Sequence, residues 1–183
     1  YTIAGTSPNY ATLSAAISDL NSRGVNGPVI FNIRDGVYTA TTWRGQINAV
    51  AGASATNRIT FRSETGNKAN VTINLAGASG LNYIFRLNNA NFISIKDLTL
   101  INTSTSYGTI VDFGTTSSND SLLNCTLTGA TIYSSSYTTM ALVYAYGYTG
   151  SNVVFHNNLF QNGGTWATWY GSSTTTTTND TKF

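Results

Sequence analysis

Ser94-Ile95-Lys96-Asp97-Leu98-Thr99-Leu100 is echoed by Ser121-Leu122-Leu123-Asn124-Cys125-Thr126-Leu127, and again by Val154-Phe155-His156-Asn157-Asn158-Leu159-Phe160. Each copy is a short strand-like run, an Asp or Asn at a bend, and a second short apolar run. The bend residues Asp97, Asn124 and Asn157 lie 27 and 33 residues apart. A recurrence of about 20–50 residues is the mark of stacked repeats. Working outward, the first strand of each turn centres near Phe31, Phe61, Ile95, Leu122 and Phe155, at steps of 30, 34, 27 and 33 residues. A coil of three short strands and three turns consumes about that much chain. Coils stack about 4.8 Å apart, the spacing of neighbouring strands, so about five or six of them make a rod roughly 25–30 Å long. The connections vary in length, as in a solenoid, instead of repeating the tight Asn-Gly turns of an antiparallel sandwich.

Composition agrees with an all-β chain. Of 183 residues only 9% are charged, and Glu64 is the sole glutamate; a typical soluble domain has about a quarter charged. Thr, Val, Ile, Tyr and Phe favour a pleated surface, whereas Gly, Asn and Ser favour turns. The length suits one domain with a sizeable core. One helix is expected over residues 12–23: Thr12 as N-cap, Leu13, Ala16, Ile17 and Leu20 on one face, then Arg23 and Gly24 as cationic last turn and stop. Residues 28–170 are expected to form the coils, and residues 171–183, with Thr174, Thr175, Thr176, Thr177 and Thr178 in a row, a threonine-rich edge strand or tail.

Net charge is +2, with nine basic residues spread along the chain. That excludes the dense basic clusters of nucleic-acid binders. No apolar run is long enough to span a bilayer. Cys125 is the single cysteine, which forbids an intrachain disulfide and argues for a buried structural thiol. The charge-poor, sulfur-poor composition leads us to expect a protein outside the cell or at its surface.

Tyr10-Ala-Thr-Leu-Ser-Ala-Ala-Ile17, followed by Gly27-Pro-Val-Ile-Phe-Asn-Ile-Arg-Asp-Gly-Val-Tyr38, resembles the opening of right-handed parallel β-helix proteins of the pectin-lyase-like superfamily. Ile93 to Leu100 and Leu122 to Leu127 resemble its coil repeat. The wording is most similar to repeats in secreted or cell-surface proteins of Bacteroidetes-type bacteria. The resemblance covers about residues 1–163. It implies a right-handed parallel β-helix with a short N-terminal capping helix, and it implies no one activity, because this scaffold carries lyases, hydrolases, adhesins and tailspikes.

Enzymes on such a scaffold gather carboxylates. A calcium-dependent lyase needs several oxygen ligands on one face, and a glycosidase needs two opposed carboxyl groups. Here Asp19, Asp35, Glu64, Asp97, Asp112, Asp120 and Asp180 are scattered, without an Asp-Asp pair, and His156 has no triad partner nearby in sequence. The sequence therefore assigns no catalytic, cofactor or metal residues. Two other patterns stand out. Arg62, Lys96 and His156 each follow an inward apolar residue, so they should share an outward column with Asn32 and Leu123, either a solvated face or a strip facing an acidic glycan. Tyr144, Tyr146 and Tyr148 alternate and should face one side, while Trp166, Trp169 and Tyr170 suit either a sugar platform or the core. Asp120-Ser121-Leu122 resembles a short bacterial O-glycan acceptor pattern.

The expectation is an extracellular structural or adhesive subunit that self-assembles into a fibre or layer, with Thr174 to Thr178 as the assembly edge and the protein itself as principal partner. The alternative is a carbohydrate-active or carbohydrate-binding protein with a polysaccharide partner. Its discriminating feature would be Lys96, Asp97, Arg86 and Asp112 meeting in one groove.

Overall fold

The computed structural model describes residues 1–132 and 134–171. The threonine run Thr174 to Thr178 lies outside the described residues. The chain opens with β1 (Thr2–Ile3) and α1 (Leu13–Arg23). Five coils follow. They are β2 (Val29–Ile33), β3 (Gly36–Tyr38) and β4 (Gly45–Asn48); β5 (Ile59–Ser63), β6 (Val71–Leu75) and β7 (Phe85–Asn88); β8 (Ile93–Lys96), β9 (Thr99–Asn102) and β10 (Val111–Phe113); β11 (Ser121–Leu123), β12 (Thr126–Thr128), α2 (Tyr137–Met140) and β13 (Ala141–Tyr148); and β14 (Val154–His156), β15 (Leu159–Gln161) and β16 (Thr165–Gly171).

The strands stack into three sheets. Sheet I runs β1-β2-β5-β8-β11-β14, sheet II β3-β6-β9-β12-β15 and sheet III β4-β7-β10-β13-β16. Every strand-to-strand ladder is parallel. The protein is a right-handed parallel β-helix. Phe31, Phe61, Ile95, Leu122 and Phe155 sit in direct register on successive coils, forming the inward column that their spacing predicted. Phe31 and Phe61 stack with ring centroids 4.7 Å apart. Toward the other end the column closes in a cluster of Phe113, Tyr148, Phe155 and Trp169.

The bend after each sheet I strand shows why Asp and Asn recur. Asp97, Asn124 and Asn157 have φ of 56°, 51° and 55°, the left-handed region that Asn and Asp tolerate best among residues with a Cβ. Their side chains also form a ladder. Asn157 Nδ2 donates to Asn124 Oδ1 at 2.9 Å, and Asn124 Nδ2 to Asp97 Oδ1 at 2.8 Å. A second turn column precedes sheet I, where Asn152 Nδ2 donates to Asn119 Oδ1 at 3.1 Å.

Helix α1 covers the first coil as expected. Thr12 accepts the Ala15 N–H, Gly24 (φ 67°) ends the helix, and Leu13, Ala16, Ile17 and Leu20 are buried. The segment expected as an extended lead-in does more than that. Its residues Thr2 and Ile3 extend sheet I against Asn32 and Ile33. Cys125 is fully buried, and burial pushes its thiol up to about 12.

Candidate functional site

The outer face of sheet III carries the site. Register places Gln46, Arg86, Asp112, Tyr144 and Thr168 in one outward column. Arg86 and Asp112 come from neighbouring coils and pair at 3.0 Å (Nε to Oδ2). The Arg86 guanidinium also lies 5.7 Å from the centre of the Tyr83 ring, within range of a cation–π attraction. Burial pushes the Asp112 carboxyl above the usual range, and Arg86 opposes that shift. Tyr144 is raised first by burial and then by the Asp112 charge beside it.

A groove of about 220 Å³ opens over this pair, lined among others by Asn82, Tyr83, Tyr107, Thr139 and Tyr144. Its far wall is made by the connections from sheet II to sheet III. Asn82 fastens three of these together, since its side chain bonds Thr109 Oγ1 and N–H from one coil and the Thr139 carbonyl from the next. Buried Arg44 holds the base of the wall by donating to the carbonyls of Leu81 and Ala76. Groove and wall are thus tied by hydrogen bonds across coils, which preorganises them.

Beyond the groove the face continues as a row of tyrosines. Tyr144 and Tyr146 are nearly parallel, 5° apart in plane with centroids at 6.5 Å, and Tyr146 and Tyr137 each meet Tyr170 edge-on at 6.0 Å. Tyr146, Tyr170 and Tyr137 are 60%, 50% and 47% exposed, so these side chains are open to solvent. Trp166 is exposed on β16, whereas Trp169 turns inward. Tyr148 departs from the expected alternation and is fully buried. The cause is Gly147, at φ 63°, where β13 holds one more residue than β16 between Ala145 and Tyr148. Such a bulge reverses the facing of the residues after it, and the Tyr148 hydroxyl ends inside, donating to the Ser117 carbonyl.

The other predicted residues are elsewhere. Arg62, Lys96 and His156 fall in one outward column of sheet I, with Asn32 and Leu123 in register. Arg62 Nε donates to Asn32 Oδ1 at 2.9 Å, and Lys96 pairs with Asp97 at 3.4 Å. Arg86 and Asp112 therefore meet on sheet III, while Lys96 and Asp97 form a separate pair at the edge of sheet I. The four do not share a groove. Ser121, in the acceptor-like triplet, is half-buried and donates to Ser94 Oγ at 2.8 Å. Among the described residues no cluster of three or more His, Cys, Asp or Glu side chains is arranged to hold a metal ion, and no helix is long and apolar enough to cross a membrane.

No protein-family model matches the chain, and no curated protein matches it. Among solved structures, the pectin methylesterase from Aspergillus niger, crystallised in a penultimately deglycosylated form, is similar to it at 12% identity and a TM-score of 0.46, over 98% of this chain and 88% of that one.

Proposed function

We propose that the outer face of sheet III binds a glycan chain, with one sugar unit seated over Arg86 and Asp112 and neighbouring units lying on the tyrosine row. The observation that carries this reading is the continuity of a hydrogen-bonding pair with solvent-exposed aromatic side chains on one face. Rings of this kind offer apolar area to the C–H faces of a pyranose while their hydroxyls remain hydrated. The groove, at about 220 Å³, is smaller than the roughly 300–1,000 Å³ of pockets that engulf a small molecule. That favours gripping part of a longer chain. Its lining holds one carboxyl group, Asp112; a two-carboxylate hydrolysis needs a second, so the geometry supports recognition best.

Affinity electrophoresis through gels containing neutral and acidic polysaccharides tests this. At least one glycan should retard the protein, and Tyr146→Ala and Arg86→Ala should each weaken retardation about tenfold, the effect of losing roughly 1.4 kcal/mol. Unchanged mobility of the native protein in every gel would remove the proposal.

In this reading the protein is an adhesive or structural element outside the cell, a rigid low-charge rod presenting a glycan-facing side. Self-association is a second proposal, supported by β14, β15 and β16, each of which has a single neighbouring strand among the described residues, with Val154 and Leu159 exposed.

A further inference from the structure

Charge is distributed unevenly over the molecule, and sheet III is where it balances. Among the described outward positions of that sheet, Arg86 and Asp112 are the only charged residues. Every other residue lining the groove is uncharged as well. Buried Arg44 stands behind the wall with both Nη atoms bonded to carbonyls, and it does not line the groove, so it offers a ligand no contact. The pair itself is within reach, since the side chains of Arg86 and Asp112 are 42% and 16% exposed. Asp112 Oδ1 and both Arg86 Nη atoms have no hydrogen-bond partner among the described residues, and none of the three is sealed from solvent. The groove therefore presents one acceptor beside four N–H donors, with no net charge.

That balance decides which sugars fit. A carboxylate that reached Arg86 would also meet Asp112, which stands 3.0 Å from it. Attraction and repulsion then offset one another, while the anion still loses its hydration. In an acidic chain, each further unit would lie on the tyrosine row with no cation to receive its charge. Asp112 thus acts against acidic chains, as the repulsive part of a specific site does. A neutral sugar meets neither cost. Its vicinal hydroxyls project side by side from the ring, so one donates to Asp112 Oδ1 while its neighbour accepts from an Arg86 Nη. Each of these hydrogen bonds has a charged partner, which strengthens it. We infer that the groove selects uncharged pyranose units and reads a vicinal diol with the Arg86–Asp112 pair. This rests on the glycan-binding reading of sheet III and narrows it to neutral chains whose linkage leaves neighbouring hydroxyls free, as 1,4-linkage does.

The test is an NMR titration of the whole chain at fixed ionic strength, reading backbone amides and the Arg86 Nε–H. The probes are 1,4-linked gluco-, manno- and xylo-oligosaccharides, the same sugars after periodate cleavage and borohydride reduction (which destroys vicinal diols), and a 1,4-linked oligogalacturonate. The expected result is saturable shifts at Arg86 and Asp112 with at least one intact neutral sugar, lost after diol cleavage and about tenfold or more weaker with the uronate. Asp112→Asn removes the repulsive charge and leaves Arg86 unpaired. It should weaken the neutral sugar about tenfold and tighten the uronate by a similar factor. A uronate that binds the wild type at Arg86 as tightly as every neutral sugar would overturn the inference and leave the glycan-binding reading standing. So would equal binding after diol cleavage, or an Asp112→Asn variant whose uronate affinity is unchanged. No saturable shift on sheet III with any probe would remove the reading and the inference together. If the variant does not fold, the wild-type titrations decide alone.

Discussion

At the scale of single residues, the turn asparagines combine two duties. Asn124 holds a left-handed backbone, donates to Asp97 and accepts from Asn157. Asn124→Ala keeps the Cβ in a region that disfavours it and removes both ladder bonds, so it should lower stability by about 2–4 kcal/mol. Asn124→Gly relieves the backbone and should cost less, and urea unfolding curves of the two variants check the ordering. Asp120 gives a pH signature. Asp120 is buried, and burial pushes its carboxyl well up, so the acid is held more tightly in the fold than in the unfolded chain, where an aspartate titrates at about 3.9. The stability it contributes is fully present below that value and is lost as pH rises through the raised native one. Denaturation midpoints of the wild type should therefore fall as pH increases above about 4, with a shallower fall in Asp120→Asn. Asp112 is raised in the same direction, so the variant keeps part of the slope; identical slopes in the two proteins would refute this assignment.

At the scale of elements, what was legible depended on local signals. The α1 helix was readable because cap, apolar face and stop lie within one short segment, and the coil strands were readable because inward apolar residues alternate with outward polar ones beside a fixed bend. Strand β13 shows the limit of that logic. Parity put Tyr144, Tyr146 and Tyr148 on one side, and a single left-handed Gly147 sent the last of them into the core. Strand β4 and helix α2 had no such marker, since the first follows an irregular connection and the second is a single short turn supported by packing. The edge strands β14, β15 and β16 carry the assembly proposal. If they pair with another copy, light scattering should show mass rising with concentration, and Leu159→Lys, which places a charge on an edge strand, should suppress the rise. A monomer at every concentration would exclude this route.

For the molecule as a whole, the parallel stack turns sequence periodicity into surface columns. Residues about thirty positions apart become neighbours, which is why Arg62, Lys96 and His156 were foreseeable as one column and Phe31 to Phe155 as another. The wall of the Arg86–Asp112 groove was harder to see. Arg86 and Asp112 were expected to meet, and their offset of 26 residues is close to the 27 of sheet I; the wall built by Asn82 and Arg44 was not foreseen, because it depends on bonds between coils that no local pattern marks. Two faces thus compete as glycan surfaces, the sheet I column and the sheet III groove with its tyrosine row. The direct test is chemical-shift mapping with whichever polysaccharide retards the protein. Perturbations should centre on Arg86, Asp112, Tyr144, Tyr146 and Tyr170. Perturbations centred on Arg62, Lys96 and His156, with sheet III unmoved, would contradict it.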